Sequence, residues 1–162
     1  MKEQESKLEI KLDISLGEYT RMHTLAEAYG AKTLEPVFGQ GSSFVEWLHD
    51  SVDARQSFIR IAEKTHIGNP FFLTNEGIDV ETVEEKDHKA VRLSFHATKE
   101  SLIRLLKFKE QFDLEDMEDL LDLSMTCLEI LLIAHRTGVS TTMQINGKPY
   151  DMYDKVRRGF QR

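Results

Sequence analysis

The sequence predicts a mostly helical α+β fold made of two strand-helix-helix repeats that share a two-stranded antiparallel ribbon, followed by a C-terminal hairpin. Two short alternating segments, residues 7–14 and 91–96, each stand directly before a helix-start signal and two helical stripes. A lone strand leaves its backbone amides and carbonyls unpaired, so two such strands in one chain are expected to pair with each other. An Asn-Gly turn signal between Met143–Ile145 and Lys148–Tyr150 predicts the hairpin.

Composition sets the class of protein before any motif is considered. The chain has 162 residues, 40% hydrophobic and 30% charged, which suits one well-buried core or two small cores sharing an interface. The net charge of −7 opposes non-specific attraction to nucleic acid or to an anionic membrane. The single cysteine, Cys127, excludes an intrachain disulfide and fits a reducing compartment. No secretory leader or membrane-length apolar stretch is present, so we expect a cytoplasmic protein.

Charge is unevenly distributed along the chain. Residues 67–88 contain six acidic residues and one lysine, interrupted by Gly, Pro and Asn, which is typical of a connector. Residues 139–162 contain five basic residues and two acidic ones. We therefore expect a first half at 1–66, an acidic connector at 67–88, a second half at 89–138, and a hairpin with a basic tail at 139–162, all packed as one domain.

The first half begins with a half-buried strand and a capped helix. Residues 8–14 alternate between apolar and charged, so one face of the strand is apolar and the other polar. Ser15 then opens an S-x-x-E capping box with Glu18, and Gly30 offers a left-handed stop. A helix is expected between these two signals.

A second helix of the first half is predicted to begin at Ser43. Ser43 and Glu46 form another S-x-x-E pattern, and a helical stripe of apolar residues continues to about Lys64. The glycines and serines of "GQGSSF", residues 39–44, then end a long turn between the two helices.

The second half repeats this order. Residues 91–96 alternate, and Thr98 is the candidate cap of the next helix. The apolar stripe of that helix is expected to contain Leu102, Leu105, Leu106 and Phe112. Asp113 is the candidate cap of the following helix, in which the apolar residues of 117–134 face inward and Gly138 marks the end.

The two halves align with a constant offset. Placing Ser15 over Thr98 gives 83 positions, which also aligns Leu12 with Phe95. Few residues are identical across this alignment, so the repeat is one of pattern. Paired antiparallel across a pseudo-two-fold axis, the strands would complete each other's backbone bonding and offer one apolar face to four helices.

In this arrangement the sequence resembles the ribbon-helix-helix family of DNA-binding regulators, in which a strand followed by two helices dimerises. The resemblance is carried by periodicity and covers roughly residues 7–64 and 89–138. It implies a tandem form that holds both members of the usual dimer in one chain. It also implies a DNA-binding transcriptional regulator that reads the major groove of double-stranded DNA with its paired strands.

The resemblance implies that the outward side chains of the ribbon contact bases. These side chains belong to Glu9, Lys11, Asp13, Arg92, Ser94 and His96. Lys11 and Arg92 would donate to guanine O6 and N7, while Ser94 and His96 would donate to a base or, for His96, to a phosphate. The carboxylates suit DNA less, because they accept from cytosine N4 alone and phosphate repels them. An ordinary solvent face of mixed charge explains the same residues.

Phosphate contacts are implied at two further places. The family holds phosphate with amides at the start of its second helix, which makes Ser42 and Ser43 the candidates here. A flexible turn with an ordinary cap is the alternative for these serines. In the basic tail, Lys155, Arg157 and Arg158 are further phosphate candidates, or residues of a solubilising terminus.

Two features depart from the family. The second half places five acidic residues between Asp113 and Asp119 at the equivalent helix start, where they suit the helix dipole but repel DNA. The connection over residues 30–42 is longer than the compact turn of the family. Both features oppose symmetric DNA binding.

No catalytic signature accompanies these features, so we expect neither an enzyme nor a bound cofactor or metal. The six histidines form no i,i+4 pair, and the sequence has no phosphate-binding loop, dinucleotide fingerprint or nucleophile elbow. Cys127 lies in an apolar run, as a buried small hydrophobe does. The alternative to DNA binding is an acidic protein–protein interaction module or adaptor, with the very apolar Met117–Ala134 helix as the interface to another protein or to a second copy.

Overall fold

The computed structural model describes residues 7–65, 91–111 and 113–161. The elements in chain order are β1 (Lys7–Ile14), α1 (Leu16–Ala28), α2 (Glu35–Asp50), α3 (Val52–Thr65), β2 (Val91–Thr98), α4 (Lys99–Gln111), α5 (Met117–Arg136), β3 (Thr142–Ile145), β4 (Lys148–Asp151) and α6 (Met152–Phe160). β1 pairs with β2 and β3 pairs with β4, both antiparallel. These pairings confirm the predicted mostly helical α+β fold, the shared ribbon and the hairpin. The predicted acidic connector, 67–88, lies outside the described residues.

Both junctions between a ribbon strand and its helix are capped as predicted. Ser15 Oγ accepts from the Glu18 amide at 3.1 Å, and Glu18 Oε1 accepts from the Ser15 amide at 3.1 Å. In the second half, Thr98 Oγ1 accepts from the Ser101 amide at 3.1 Å. Each cap satisfies a free donor of the first helical turn, so the chain can change from strand to helix within one residue.

The two halves repeat with the predicted offset of 83 positions. α1 and α4 each contain 13 residues, and both their first and their last residues are 83 positions apart. In the ribbon, Lys11 faces Ser94, which is its own equivalent in the other half. Two equivalent residues that face each other lie on the axis that relates the halves. The pseudo-two-fold axis therefore passes between Lys11 and Ser94.

The same axis passes through the crossing of α2 and α5. Gly41 of α2 and Ser124 of α5 are equivalent by the same offset, and both are buried. A Cβ built on Gly41 would stand 2.7 Å from Ser124 Cβ and 3.2 Å from both the Ser124 carbonyl oxygen and Leu128 Cδ1. The two helices thus meet at a pair of small residues, and no side chain larger than hydrogen fits at Gly41 without moving one of them.

Two ion pairs between the halves follow this symmetry. Arg21 of α1 donates to Glu129 of α5, and its equivalent Arg104 of α4 lies 3.5 Å from Glu46 of α2. Arg21 also donates to Asp122 at 2.6 Å. Burial alone would lower the pKa of Arg21, but hydrogen bonds and charge from Glu129 and Asp122 outweigh burial and raise that pKa. The matching Arg and Glu at both places are residue identities that hydrophobic periodicity does not reveal.

The described buried apolar side chains form one cluster that joins the halves. α5 lies at its centre, with eleven buried residues. Tyr29, the C-cap residue of α1, is buried against it, donates to the Leu128 carbonyl at 2.6 Å and stacks on Phe160 of α6. The apolar side chains of Met117–Ala134 are thus used inside the chain, and the reason for predicting an interface there is lost. None of the described helices, α5 included, is long and apolar enough to cross a membrane.

The predicted start of the second helix at Ser43 is wrong. α2 begins at Glu35 with Pro36 in its first turn. The amides of a first turn have no acceptor within the helix, so a proline, which has no amide hydrogen, loses no hydrogen bond there. The helix then breaks at Ser51, whose backbone is extended and whose hydroxyl accepts from the Ala54 amide to start α3. The connection between α1 and α2 is therefore short, so the long connection predicted over 30–42 is also wrong.

The start of α5 lies later than predicted. Asp113 does not cap the helix and has a φ of 54° in the turn after α4. The cap is Asp116, whose Oδ1 accepts from the Asp119 amide at 2.9 Å. In α4, the predicted apolar stripe is wrong at Leu106, which is exposed, and Phe112 lies outside the described residues.

The C-terminal segment forms the predicted hairpin and an unpredicted helix. Asn146 and Gly147 have φ values of 53° and 77°, the two left-handed residues that a tight hairpin turn requires. The basic tail forms α6, capped by Asp151 and anchored by the buried side chains of Val156 and Phe160. The i,i+4 spacing of these apolar residues after an Asp cap is the signal that could have predicted α6.

Cys127 is expected to be unreactive in the folded protein. Its side chain is fully buried in α5, and burial raises the pKa of its thiol. We expect a disulfide reagent such as DTNB to label the native protein at least ~100-fold more slowly than the denatured chain, because labelling requires unfolding. Absorbance of the released thiolate, followed with and without guanidinium, measures both rates. Fast stoichiometric labelling in plain buffer would contradict the buried position.

Candidate functional site: the outward face of the ribbon

The outward face of the ribbon carries the six polar side chains that the alternation predicts. The register places them in three cross-strand pairs: Glu9 with His96, Lys11 with Ser94, and Asp13 with Arg92. Asp13 is half-buried and the other five are exposed. On the opposite face, Ile10, Leu12, Ile14 and Phe95 are buried in the core. Because side chains alternate along a strand, all six polar side chains point toward solvent. The pseudo-two-fold axis passes through the middle pair, Lys11 and Ser94.

Arg92 is held across the ribbon by Asp13. Its Nε donates to Asp13 Oδ1 at 2.7 Å and its Nη2 donates to Asp13 Oδ2 at 3.2 Å. The hydrogen bond and charge of Asp13 raise the pKa of Arg92. Arg92 is largely exposed and Asp13 only half-buried, so this pair adds little to stability and mainly fixes the direction of the guanidinium.

Glu9 contacts two of the other predicted donors, Ser94 and Lys11. Ser94 Oγ donates to Glu9 Oε2 at 2.6 Å, and Lys11 Nζ lies 3.5 Å from Glu9 Oε1. The Ser94 hydrogen bond is the main cause that lowers the pKa of the Glu9 carboxyl. Glu9 and Asp13 together balance the formal charges of Lys11 and Arg92. The face is therefore neutral, with each predicted cation beside a carboxylate.

The acidic start of α5 lies beside one end of this face. The Asp13 amide donates to Glu118 Oε2 at 2.8 Å, so the first turn of α5 touches β1. Burial, followed by the charge of Asp116, raises the pKa of Asp119 in the same turn. These carboxylates stabilise the helix dipole, and they add negative potential next to Asp13.

Ser42 and Ser43 do not stand at a helix start. Both lie inside α2, where Ser42 is 4% exposed and donates to the Gly39 carbonyl at 3.2 Å, while Ser43 is exposed. Amides inside a helix already donate to the preceding turn, so they have no hydrogen to offer a phosphate. The basis for predicting these serines as phosphate contacts is therefore wrong. The true first turn of α2 carries Glu35, whose charge opposes phosphate.

The three predicted phosphate candidates of the C-terminal segment, Lys155, Arg157 and Arg158, lie on α6 and each has a partner there or on β4. Arg157 lies 3.0 Å and Arg158 2.8 Å from carboxylate oxygens of Asp154. Lys155 Nζ lies 4.7 Å from the centre of the Tyr150 ring, a cation–π contact. α6 thus presents a basic helical surface in place of the predicted tail.

This basic surface and the ribbon face lie at opposite ends of α5. Glu118 in the first turn of α5 contacts the ribbon. His135 in the last turn stacks on Tyr153 of α6, with the centres of the two rings 3.9 Å apart. Glu118 and His135 are 17 positions apart, which corresponds to about 25 Å of helix. The structure therefore does not bring Lys155, Arg157 and Arg158 into the ribbon face.

The described part of the chain contains no group of three or more His, Cys, Asp or Glu side chains placed to hold a metal ion. Comparison with protein-family models, curated proteins and solved structures gave no match for this chain. The function of the ribbon is therefore inferred from its own geometry and chemistry.

Proposed function

We propose that the chain is a ribbon-helix-helix-like DNA-binding regulator of transcription, which reads the major groove with the outward face of β1 and β2. The observation that carries this proposal is the two-stranded ribbon centred on Lys11 and Ser94, with its polar face exposed and its apolar face packed on the helices. An antiparallel ribbon of two strands fits the width of the major groove and points alternate side chains at base edges.

The proposed readout is asymmetric. The offset makes Glu9 equivalent to Arg92, Lys11 to Ser94, and Asp13 to His96, so each half presents different chemistry at the same place. On binding, Arg92 and Lys11 exchange their carboxylate partners for guanine, and the freed carboxylates face cytosine N4 donors. Unlike a symmetric dimer, such a ribbon does not require a palindromic site.

Removal of both ribbon cations is expected to abolish most DNA binding. The probe is a fluorescent duplex of about 30 base pairs, first a mixed-sequence pool and then its best-selected member, titrated by anisotropy at ~50 mM salt. We expect Lys11→Ala with Arg92→Ala to weaken binding by at least ~10-fold. The matched control, Arg60→Ala with Lys64→Ala on α3, removes the same charge away from the ribbon and should change affinity by less than ~3-fold. Equal losses in both pairs would refute base reading by the ribbon.

Neutralising the ribbon carboxylates is expected to have the opposite effect. Glu9→Gln with Asp13→Asn frees the donors and removes two charges that repel phosphate, so affinity for the same duplex should rise by about 10-fold at ~50 mM salt. The control, Glu27→Gln with Glu63→Gln, changes the net charge equally at exposed sites on α1 and α3. An affinity that rises equally in both pairs would show that net charge, and not the ribbon face, governs binding.

The second candidate function is an acidic protein–protein interaction module that does not bind DNA. It is favoured by the pairing of Lys11 and Arg92 with carboxylates, since a neutral face on a chain of charge −7 does not attract a polyanion. Absence of binding to any duplex pool at ~50 mM salt would support this candidate. Under both proposals we expect a cytoplasmic protein, which fits the free thiol of Cys127.

A further inference from the structure

α4 presents an apolar stripe to solvent. Ile103 is 44% exposed and Leu106 is 46% exposed, while Lys99 and Glu110 on the same side of the helix are also exposed. The spacing of these four residues is i, i+4, i+7 and i+11, which aligns them along one side of a helix as in a coiled-coil seam. We call Lys99, Ile103, Leu106 and Glu110 the α4 seam.

The fold itself does not require apolar residues in the α4 seam. By the offset of 83, the equivalents of Ile103 and Leu106 are Thr20 and His23 of α1, which are polar and exposed. α1 therefore carries polar side chains at the two positions where α4 carries Ile103 and Leu106, although Leu16, the equivalent of Lys99, is itself exposed. Single exposed aliphatic residues are common on proteins, but two adjacent ones that the equivalent helix lacks indicate a surface that is covered.

The α4 seam is complementary to a second copy of itself in antiparallel orientation. Lys99 lies four residues before Ile103, and Glu110 lies four residues after Leu106. When Ile103 faces Leu106 of the second copy, Lys99 therefore faces Glu110 of the second copy at both ends. Ile103 and Leu106 of each copy then cover those of the other copy, and one Lys99–Glu110 pair lies at each end of the contact. A surface that fits a second copy of itself in this way is what a two-fold contact requires.

We propose that the chain forms a two-fold symmetric dimer through the α4 seam. A 13-residue helix is about 20 Å long, so the contact is smaller than a standard interface and the dissociation constant should lie in the micromolar range. The dimer requires no DNA and does not use the ribbon face. Its test is therefore independent of the proposed DNA binding.

Charge reversal at the ends of the seam is the sharpest test. We expect sedimentation equilibrium of the full chain between ~1 and ~300 µM to show a monomer–dimer transition. Lys99→Glu or Glu110→Lys alone creates two like-charge pairs and should raise the dissociation constant about 10-fold, and the double variant should return it to within ~3-fold of the original. Each single change also suits the dipole of α4, so weaker association cannot be attributed to an unfolded helix.

A second variant replaces the two apolar residues of the seam with the residues found at the equivalent positions of α1. Ile103→Thr with Leu106→His installs the residues that α1 carries at the equivalent exposed positions, and we expect a monomer up to ~300 µM with an unchanged circular dichroism spectrum. The proposal would be overturned if the original chain stayed monomeric over this range. It would also be overturned if neither single charge reversal weakened the dimer, or if Lys99→Glu combined with Glu110→Lys did not restore it.

Discussion

Replacing Gly41 with alanine is expected to lower the free energy of unfolding by about 1 to 3 kcal/mol. The new Cβ would stand 2.7 Å from Ser124 Cβ, where α2 and α5 cross, so the two helices must move apart. The same change at Gly39, two residues earlier in the same helix, meets nothing within 4 Å. Because alanine favours a helix over glycine, Gly39→Ala should raise the free energy of unfolding by about 0.5 to 1 kcal/mol.

Gly41→Ala and Gly39→Ala are thus expected to change the free energy of unfolding in opposite directions, which makes the two results easy to distinguish. Guanidinium denaturation followed by circular dichroism gives both free energies, and the slope of the transition shows whether the unfolded state also changed. If Gly41→Ala stabilised the protein as much as Gly39→Ala, the close crossing of α2 and α5 would be refuted. The helix propensity of alanine would then account for both results.

Removing Arg21 is expected to destabilise the protein by about 2 kcal/mol, because it leaves Glu129 and Asp122 without their shared cation. We expect less than the loss for a fully buried pair, since between 30% and 43% of each of these side chains is exposed. The equivalent residue Arg104 is 62% exposed and lies 3.5 Å from Glu46, so Arg104→Ala should cost less than ~0.5 kcal/mol.

This pair of variants tests whether the two halves are equivalent in energy as well as in geometry. Thermal unfolding monitored by circular dichroism or calorimetry measures both changes at the same pH and salt. Equal losses for Arg21→Ala and Arg104→Ala would contradict the stronger network at Arg21. A loss at Arg21 that vanished in ~1 M salt would show a surface interaction instead of a part-buried one.

Local signals in the sequence predicted the elements whose limits are set locally. The capping hydroxyls of Ser15 and Thr98 fixed both strand-to-helix junctions, and the Asn-Gly pair fixed the hairpin turn. The start of α2 was missed because Gly39 and Gly41 have the composition of a turn. At Gly41 glycine serves the contact with α5, a tertiary requirement that local propensity does not contain.

The candidate site was predictable in its members but not in its bonding. Period two was enough to place Lys11, Arg92, Ser94 and His96 on one outward face. The engagement of Arg92 by Asp13 and of Ser94 by Glu9 depends on cross-strand register, which alternation alone does not define. The offset of 83 does define this register. A symmetric ribbon must place equivalent residues opposite each other at its centre, which pairs Lys11 with Ser94.

The covalent union of the two halves changes how stability depends on the amount of protein present. A ribbon formed by separate chains dissociates on dilution, because its assembly is bimolecular. Here β1 and β2 belong to one polypeptide, and closing the loop between them costs an entropy that grows only slowly with loop length. The paired strands therefore persist at a few molecules per cell, where a dimer of half-length subunits would be lost to mass action.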